Sequence, residues 1–248
     1  MKKSAALAAL AAIIFVAAPQ AHATGIFSTG FEPATYSPGP LLDQDGWYGS
    51  TNMAVQTGTV NAGTQAVAIT ASAAEADGSY HSLAYNSIGN PENLVTVSID
   101  IRLNSVTDPN VVWEGLGLLG NAGFITQTLV YGGTGTACAV SCSGVPLDPN
   151  TWNTLSLQLD FSTHTVSHFL NGVLFSSDSF ATNSTSLSSV AIGINNAGGT
   201  SPSTAYFDSL SVVSSVAEPP SLALLGGALL LLGAITTGRK RLGLRHSA

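Results

Sequence analysis

The segment LVTVSIDIRL, residues 94–103, alternates apolar and polar side chains with a period of two. Because successive side chains of an extended strand point to opposite faces, one face of this segment is apolar and the other is polar. The pattern therefore predicts a β-strand with one buried face. A strand of this kind needs a second layer to cover its apolar face, which restricts the fold to a few layered architectures.

Short runs of the same character recur along the chain, and Gly, Asn, Asp or Pro separates nearly every pair of them. The nine others are MAVQT, AVAIT, SYHSLAY, VVWEGLGLL, FITQTLVY, NTLSLQLDF, HTVSHFL, VAIGI and AYFDSLSVV. Their spacing is typical of an antiparallel sandwich or barrel. Asn171-Gly172 predicts a hairpin with a type I′ turn, and the Ser/Thr/Asn-rich stretch 176–189 indicates a long loop. The sequence thus predicts an all-β domain.

The N-terminal segment has the three parts of a secretory signal. Lys2 and Lys3 precede an apolar run over residues 5–18, and small residues flank His22 in Ala21-His22-Ala23. The run is shorter than the ~20 residues that a membrane span needs. We therefore expect a signal peptide over residues 1–23, cleaved after Ala23, and hence export.

The C-terminal segment contains 18 uncharged, mostly apolar residues from Ser221 to Gly238, directly followed by Arg239, Lys240 and Arg241. As a helix it would be about 27 Å long, close to the ~30 Å hydrocarbon layer of a membrane. The basic residues would hold their end on the cytoplasmic side. A transmembrane helix is therefore predicted over about 221–238.

The charged residues also divide the chain into an N-terminal segment, a body and a C-terminal tail. Residues 24–217, 194 in all, contain Arg102 as their single Lys or Arg residue beside thirteen acids, a net charge of −12. Such a surface cannot neutralise phosphates, which excludes nucleic acid and anionic lipid headgroups as partners of this part. Neutral glycans and divalent cations remain, and the length suits one domain. The predicted parts are 1–23, 24–217 and 218–248.

The tail resembles the PEP-CTERM sorting signal of Gram-negative bacteria. Glu218-Pro219, the Leu/Gly-rich span and the basic end carry the resemblance, although Ala217 stands where the first proline of Pro-Glu-Pro would be. The resemblance implies that an exosortase cuts the chain near Glu218. It also implies export by the secretion machinery, transient anchoring in the inner membrane, and delivery to the cell surface or extracellular matrix. The alternative is an ordinary anchor that is never processed.

The body resembles a concanavalin A-like, or laminin G-like, jelly roll. TWNTLSLQLDFSTHTVSHFLNGVLFSS and AYFDSLSV are similar to its second half, and GFEPATYSPGPLLDQDGWYG is similar to the start of exported bacterial proteins of this sandwich type. In several carbohydrate-binding jelly rolls, acids near the terminal strands bind a structural calcium. Glu32 and Asp208 take these places, so the resemblance makes a calcium site possible here. No other cofactor is predicted.

Glucanases of this fold use a strand Glu-x-Asp-x-Glu, whose carboxylates share one face. In SIDIR, Asp100 keeps the central place while Ser98 and Arg102 replace the two glutamates. A retaining hydrolase needs a carboxyl pair about 5 Å apart, so we expect no catalytic residue. Glu114, on another strand, is a lone acid that we expect to be solvated.

The chain also contains a pair of cysteines and a pair of closely spaced histidines. Cys138 and Cys142 are the two cysteines of an exported chain, which predicts a small disulfide in a loop. His164 and His168 are four apart, which on a strand separates them by about 13 Å. They cannot share a metal ion, and we expect them at the surface or in a cleft.

Two classes of function agree with these observations. The first is an exported, non-catalytic protein that binds extracellular polysaccharide, with Asp100, Arg102, Trp113 and Tyr131 as the residues expected to contact sugar. The second is a degenerate or unrecognised glycoside hydrolase or polysaccharide lyase. A structural matrix protein without a ligand is equally compatible with the sequence.

Overall fold

A computed structural model of the chain describes residues 23–49, 51–71, 77–82, 93–104, 111–139, 144–197 and 203–216. A compact unit extends from Ala23 to Ser215. The described residues contain sixteen strands and no helix. The strands are β1 (Ala23–Thr29), β2 (Gly39–Pro40), β3 (Trp47–Gly49), β4 (Met53–Gln56), β5 (Ala66–Ala71), β6 (Asp77–Ser82), β7 (Asn93–Leu103), β8 (Val111–Gly120), β9 (Gly123–Tyr131), β10 (Thr136–Cys138), β11 (Val145–Pro146), β12 (Asn153–Asp160), β13 (Thr165–Leu170), β14 (Val173–Ser179), β15 (Leu187–Ala197) and β16 (Ser203–Val216).

The strands form two antiparallel sheets, which confirms the predicted all-β sandwich. The nine-stranded sheet has the order β14-β13-β12-β7-β16-β5-β4-β2, and β1 pairs with β16 beside this path. The seven-stranded sheet has the order β11-β10-β9-β8-β15-β6-β3. Strands distant in sequence are neighbours in both sheets, as β7 and β16 are, so the fold depends on long-range pairing.

The apolar face of β7 packs in the core, as its alternation predicts. Val95, Val97 and Ile99 are fully buried, whereas the polar residues between them are half-buried on the outer face. The register of β12 places apolar residues directly opposite, with Leu155 paired to Ile99 and Leu157 to Val97. Both strands therefore contribute one continuous apolar surface to the space between the sheets.

The Asn-Gly hairpin is confirmed. Asn171 and Gly172 have φ values of 50° and 78°, the left-handed conformation that a type I′ turn requires. The loop predicted over residues 176–189 is wrong at both ends, because β14 continues to Ser179 and β15 begins at Leu187. The serines of β14 lie on an edge strand, where Ser177 pairs with Ser167. Because none of its side chains is fully buried, this edge strand has the polar composition that is also typical of a loop.

One histidine lies between the two sheets. His168 of β13 is 0% exposed, and its Nδ1 and Nε2 lie 3.0 and 3.4 Å from the hydroxyls of Thr128 and Thr126 of β9. Its Nε2 is also 3.7 Å from Asp178 Oδ2. The predicted surface position of His168 is therefore wrong, since this side chain joins the inner faces of β13 and β9.

The predicted targeting segments fall outside the described residues. They are residues 1–22 of the signal peptide and the tail with Glu218, Pro219, Arg239, Lys240 and Arg241. In the part of the chain that is described, no helix has the length and hydropathy to span a membrane. The signal peptide, the cleavage after Ala23 and the membrane helix stay predictions.

Candidate functional site

The structure does not bring together the four residues that we expected to contact sugar. Asp100 and Arg102 lie on the outer face of the nine-stranded sheet, whereas Trp113 and Tyr131 belong to the seven-stranded sheet. Trp113 is 0% exposed and lies in the core. The predicted contact of Trp113 with sugar is wrong, because the side chain is buried beside its strand partners Val130 and Ile194.

Asp100 is occupied by contacts within the protein. Its Oδ1 accepts a hydrogen bond from Thr154 Oγ1 and its Oδ2 accepts one from Asn61 Nδ2, both at 2.6 Å. Arg102 is half-buried, and its Nε is buried without a hydrogen-bond partner among the described residues. The outer face of β7 therefore offers no free carboxylate at Asp100.

A different surface has the features of a binding site, namely the outer face of the seven-stranded sheet around Glu114. Directly paired residues of adjacent strands share a face. Leu129, Glu114 and Gly193 form one such row across β9, β8 and β15, and Gly193 pairs in turn with Gly78 of β6. This row alternates with core residues such as Trp113, so Glu114 points away from the core.

The next row on the same face has small residues at its centre. Gln127 pairs with Gly117, and Gly117 with Ala191. Through β6 the row continues to Tyr48 on the edge strand β3, which is 45% exposed while its neighbour Trp47 is buried in the core. We call this surface the Glu114 face: Tyr48, Glu114, Gln127, Leu129 and Tyr131 around a floor of Gly117, Ala191 and Gly193.

Glu114 lies on the floor of this face and is half-buried. A Cβ atom added to Gly117 would overlap Glu114 Oε1 and would lie 2.9 Å from its Cδ, so the acid folds over the glycine. Burial raises the pKa of the Glu114 carboxyl group. The expectation that Glu114 is simply solvated is therefore wrong. The sequence does hold a signal for this position, because Glu114 is the one polar residue in the run VVWEGLGLL.

The neighbours of Glu114 on this face carry no second acid. The residues paired with it are Leu129 and Gly193, and the diagonal positions in the described register include Gln127, Tyr131 and Ala191. Glycoside hydrolysis needs two carboxyl groups, about 5 Å apart in retaining enzymes. The described part of this face can offer hydrogen bonds and aromatic contact, but it shows no such pair close to Glu114.

Glu32 and Asp208, the predicted calcium pair, do approach each other. A Cβ atom built on Gly30 would lie 3.8 Å from both Glu32 Oε1 and Asp208 Oδ1, so the two carboxylates face the same small space. Glu32 lies in the loop after β1 and Asp208 lies on β16. Within the described residues, no group of three or more His, Cys, Asp and Glu side chains is arranged to hold a metal ion. The calcium site stays a prediction.

Both carboxylates bind the loop between β4 and β5. Asp208 Oδ2 accepts hydrogen bonds from the amides of Asn61 and Ala62 at 2.9 and 3.0 Å. Glu32 accepts from the Thr64 amide at 3.0 Å and from its hydroxyl at 2.7 Å. Hydrogen bonds from Thr64 lower the pKa of Glu32, whereas burial raises the pKa of Asp208 against the effect of its amide donors. We call these contacts the carboxylate clasp.

Of the two cysteines, one can be placed. Cys138 is buried at the end of β10, whereas Cys142 lies outside the described residues. The disulfide between them stays a prediction.

No model of a known protein family matches the sequence, and no curated protein matches it either. Solved structures do share the fold. An endo-1,3-β-glucanase from Streptomyces sioyaensis has a TM-score of 0.57 at 13% identity, over 81% of this chain and 99% of the glucanase. A carbohydrate esterase from the Shiga toxin-encoding bacteriophage phi24B has a TM-score of 0.52 at 14% identity, over 77% of this chain and 99% of the esterase.

A sialidase is also similar, with a TM-score of 0.51 at 8% identity over 67% of this chain. Here the chain spans 17% of the length of the sialidase. Similarity at such identities shows the fold and does not show an activity. The body of this chain has the two-sheet β-sandwich fold found in these three carbohydrate-related proteins.

Proposed function

We propose that this chain is an exported, non-catalytic carbohydrate-binding protein and that the Glu114 face is its binding site. The observation that carries the proposal is a half-buried acid on a floor of small residues, with Tyr48 and Tyr131 on the same face. Sugar-binding sites combine a few placed polar groups with aromatic surface. Glu114 and Gln127 supply the polar groups, and the two tyrosines supply rings with a hydroxyl at one end.

The sandwich fold supports the same proposal. Two of the similar structures are named for enzymes that act on carbohydrate, a glucanase and a carbohydrate esterase. A sugar-binding role needs a binding face but no catalytic pair of carboxyl groups, which agrees with the neutral neighbours of Glu114. Release of reducing ends from a bound polysaccharide would favour the alternative of a hydrolase, and cleavage to unsaturated ends would favour a lyase.

Affinity electrophoresis of the full-length protein through gels that contain soluble polysaccharides tests the proposal. Glu114→Ala and Tyr131→Ala are expected to weaken binding about tenfold or more, the loss of roughly 1.4 kcal/mol. Arg102→Gln, on the outer face of the other sheet, serves as the control and should bind as the wild type does. Loss of binding in Arg102→Gln, with Glu114→Ala unaffected, would contradict the proposed site. If the protein bound none of the polysaccharides, the result would favour the alternative of a structural matrix protein without a ligand.

We further propose that an exosortase sorts the protein to the cell surface or extracellular matrix of a Gram-negative bacterium. The support is the C-terminal sequence: Glu218-Pro219, the apolar span, and Arg239 to Arg241. In the native host, intact-mass measurement should find a mature chain that begins at Thr24 and ends near Glu218. Glu218→Ala should accumulate a larger, membrane-bound species. A wild-type C-terminus at Ala248 would instead indicate a permanent anchor.

A further inference from the structure

We infer that the Glu114 face takes neutral polysaccharide and rejects anionic chains such as polyuronates. This inference rests on the proposed function, and it narrows the class of ligand for the same site. Three observations carry it: the distribution of basic residues, the chemistry of Glu114, and the absence of a cation-binding group on the described part of this face.

Basic residues are missing where an anionic ligand would need them. Arg102 is the single Lys or Arg residue between residues 24 and 217, and it lies on the nine-stranded sheet. Carboxylate and sulfate groups are recognised by Arg or Lys through charge-assisted hydrogen bonds. The seven-stranded sheet contains no such residue, so each anionic group would lose water without gaining a partner, which is unfavourable.

Glu114 adds a second obstacle to anions. Its carboxyl group lies at the centre of the face, over Gly117, and an ionised carboxylate there repels a like charge that is brought close. Burial raises the pKa of this carboxyl group, which increases the protonated share. A protonated carboxyl donates one hydrogen bond and accepts others, which matches the hydroxyl groups of a neutral sugar.

The described residues of the Glu114 face also offer no calcium site that would bridge an anionic polymer to the protein. A bridging cation would need several oxygen ligands from the protein. No group of three or more candidate ligands occurs in the described residues, and Glu32 and Asp208, which face the same small space, belong to the carboxylate clasp rather than to the seven-stranded sheet. The neighbours of Glu114 on its own face are uncharged.

Affinity electrophoresis of the full-length protein with two pairs of polymers tests the inference. Laminarin and hydroxyethylcellulose are the neutral probes, and polygalacturonate and alginate are the anionic probes, all in EDTA and at physiological ionic strength. We expect at least one neutral polymer to bind at least about tenfold more tightly than either anionic polymer. Glu114→Gln, which keeps the size of the side chain and removes its negative charge, should reduce this difference between neutral and anionic polymers.

The outcomes separate the inference from the proposed function. Tighter binding of polygalacturonate or alginate, abolished by Glu114→Ala, would overturn the neutral class while leaving the Glu114 face as the site. Binding of neither kind of polymer by a protein with an intact β-sheet spectrum would overturn the proposed function itself. A folded Glu114→Gln variant that discriminates between neutral and anionic polymers as strongly as the wild type would also count against the inference, because the carboxylate would then play no part in rejecting anions.

Discussion

The carboxyl group of Glu114 occupies the space that a side chain at Gly117 would fill. Gly117 also lies close to Ala191, whose Cβ would be 3.4 Å from a Cβ atom built at residue 117. The acid and the glycine therefore form one structural unit, and changing either of them changes the face.

Gly117→Ala is expected to lower the free energy of unfolding by about 1–3 kcal/mol, because the added methyl group displaces Glu114. Urea denaturation measures this loss. Gly25→Ala is the matched control: Gly25 is also a strand glycine, but a Cβ atom there meets nothing within 4 Å. The control should change the stability by no more than about 0.5 kcal/mol. Equal effects of the two substitutions would contradict the packing of Glu114 over Gly117.

His168 is expected to make the protein less stable in acid. Burial lowers its pKa from 6.5 to about 4, although the Asp178 carboxylate opposes the shift. Between these values the unfolded chain binds more protons than the folded one, so stability falls as the pH falls from about 6.5 to 4. This contribution amounts to at most about 3 kcal/mol. Thr126, Thr128 and the Phe175 ring, which also lie around the imidazole, are uncharged in this range.

His168→Gln tests this directly, because it keeps a polar side chain for the two threonines and removes the titration. The stability of the variant should decline less steeply than that of the wild type over this pH range, as measured by urea denaturation at several pH values. Ser167→Ala, on the outer face of the same strand, is the control and should retain the slope of the wild type. Identical slopes for His168→Gln and the wild type would show that folding does not shift the pKa of His168.

The carboxylate clasp is expected to stabilise the junction of β16 with the loop between β4 and β5. Asp208→Asn replaces one acceptor oxygen with a donor that would face the amides of Asn61 or Ala62. The expected cost is about 1–3 kcal/mol. Asp148→Asn, at an exposed position, is the matched control and should be close to neutral. Hydrogen exchange at residues 61 and 62 should increase in the first variant alone.

Calcium provides a separate test of the same two acids. If the predicted ion binds between Glu32 and Asp208, about 1 mM calcium in place of EDTA should raise the Tm of the wild type by several degrees. Asp208→Asn should abolish this increase. An unchanged Tm for the wild type would show that the clasp works through its protein hydrogen-bond donors without calcium.

The predicted disulfide should appear in a mass spectrum of the exported protein. Under non-reducing conditions, a proteolytic peptide should contain Cys138 linked to Cys142. Cys138 is buried, so alkylation is informative only after denaturation. Two alkylated cysteines in the denatured, non-reduced protein would contradict the prediction.

Alternation along single strands was a sound guide to the fold. It identified the core residues of β7, and it also held the information on His168, which shares a face of β13 with Val166 and Leu170. His168 is a polar residue that we expected at the surface or in a cleft, whereas its position in the alternation places it on the buried face of β13. In β8 the alternation is interrupted by a register irregularity between Glu114 and Leu116, which left the direction of Trp113 undetermined.

The site was less predictable because it depends on pairing between distant segments. Glu114 meets Gly193 only when β8 pairs with β15, and Asp100 meets Asn61 only when the loop after β4 reaches β7. No local pattern encodes either contact. The resemblance to glucanases points to Asp100 on β7, whereas the Glu114 face lies on the other sheet.

The position of β16 also bears on the order in which the protein can fold. Although it is the last strand of the body, it lies between β7 and β5 inside the nine-stranded sheet. The strands on either side of β16 cannot form one sheet until residues 203–216 are available to pair with them. A chain that lacks these residues therefore lacks the contacts that join β7 to β5 through β16. High contact order of this kind slows folding. A chain threaded through a membrane channel from its N-terminus would therefore complete its sheet only on the far side.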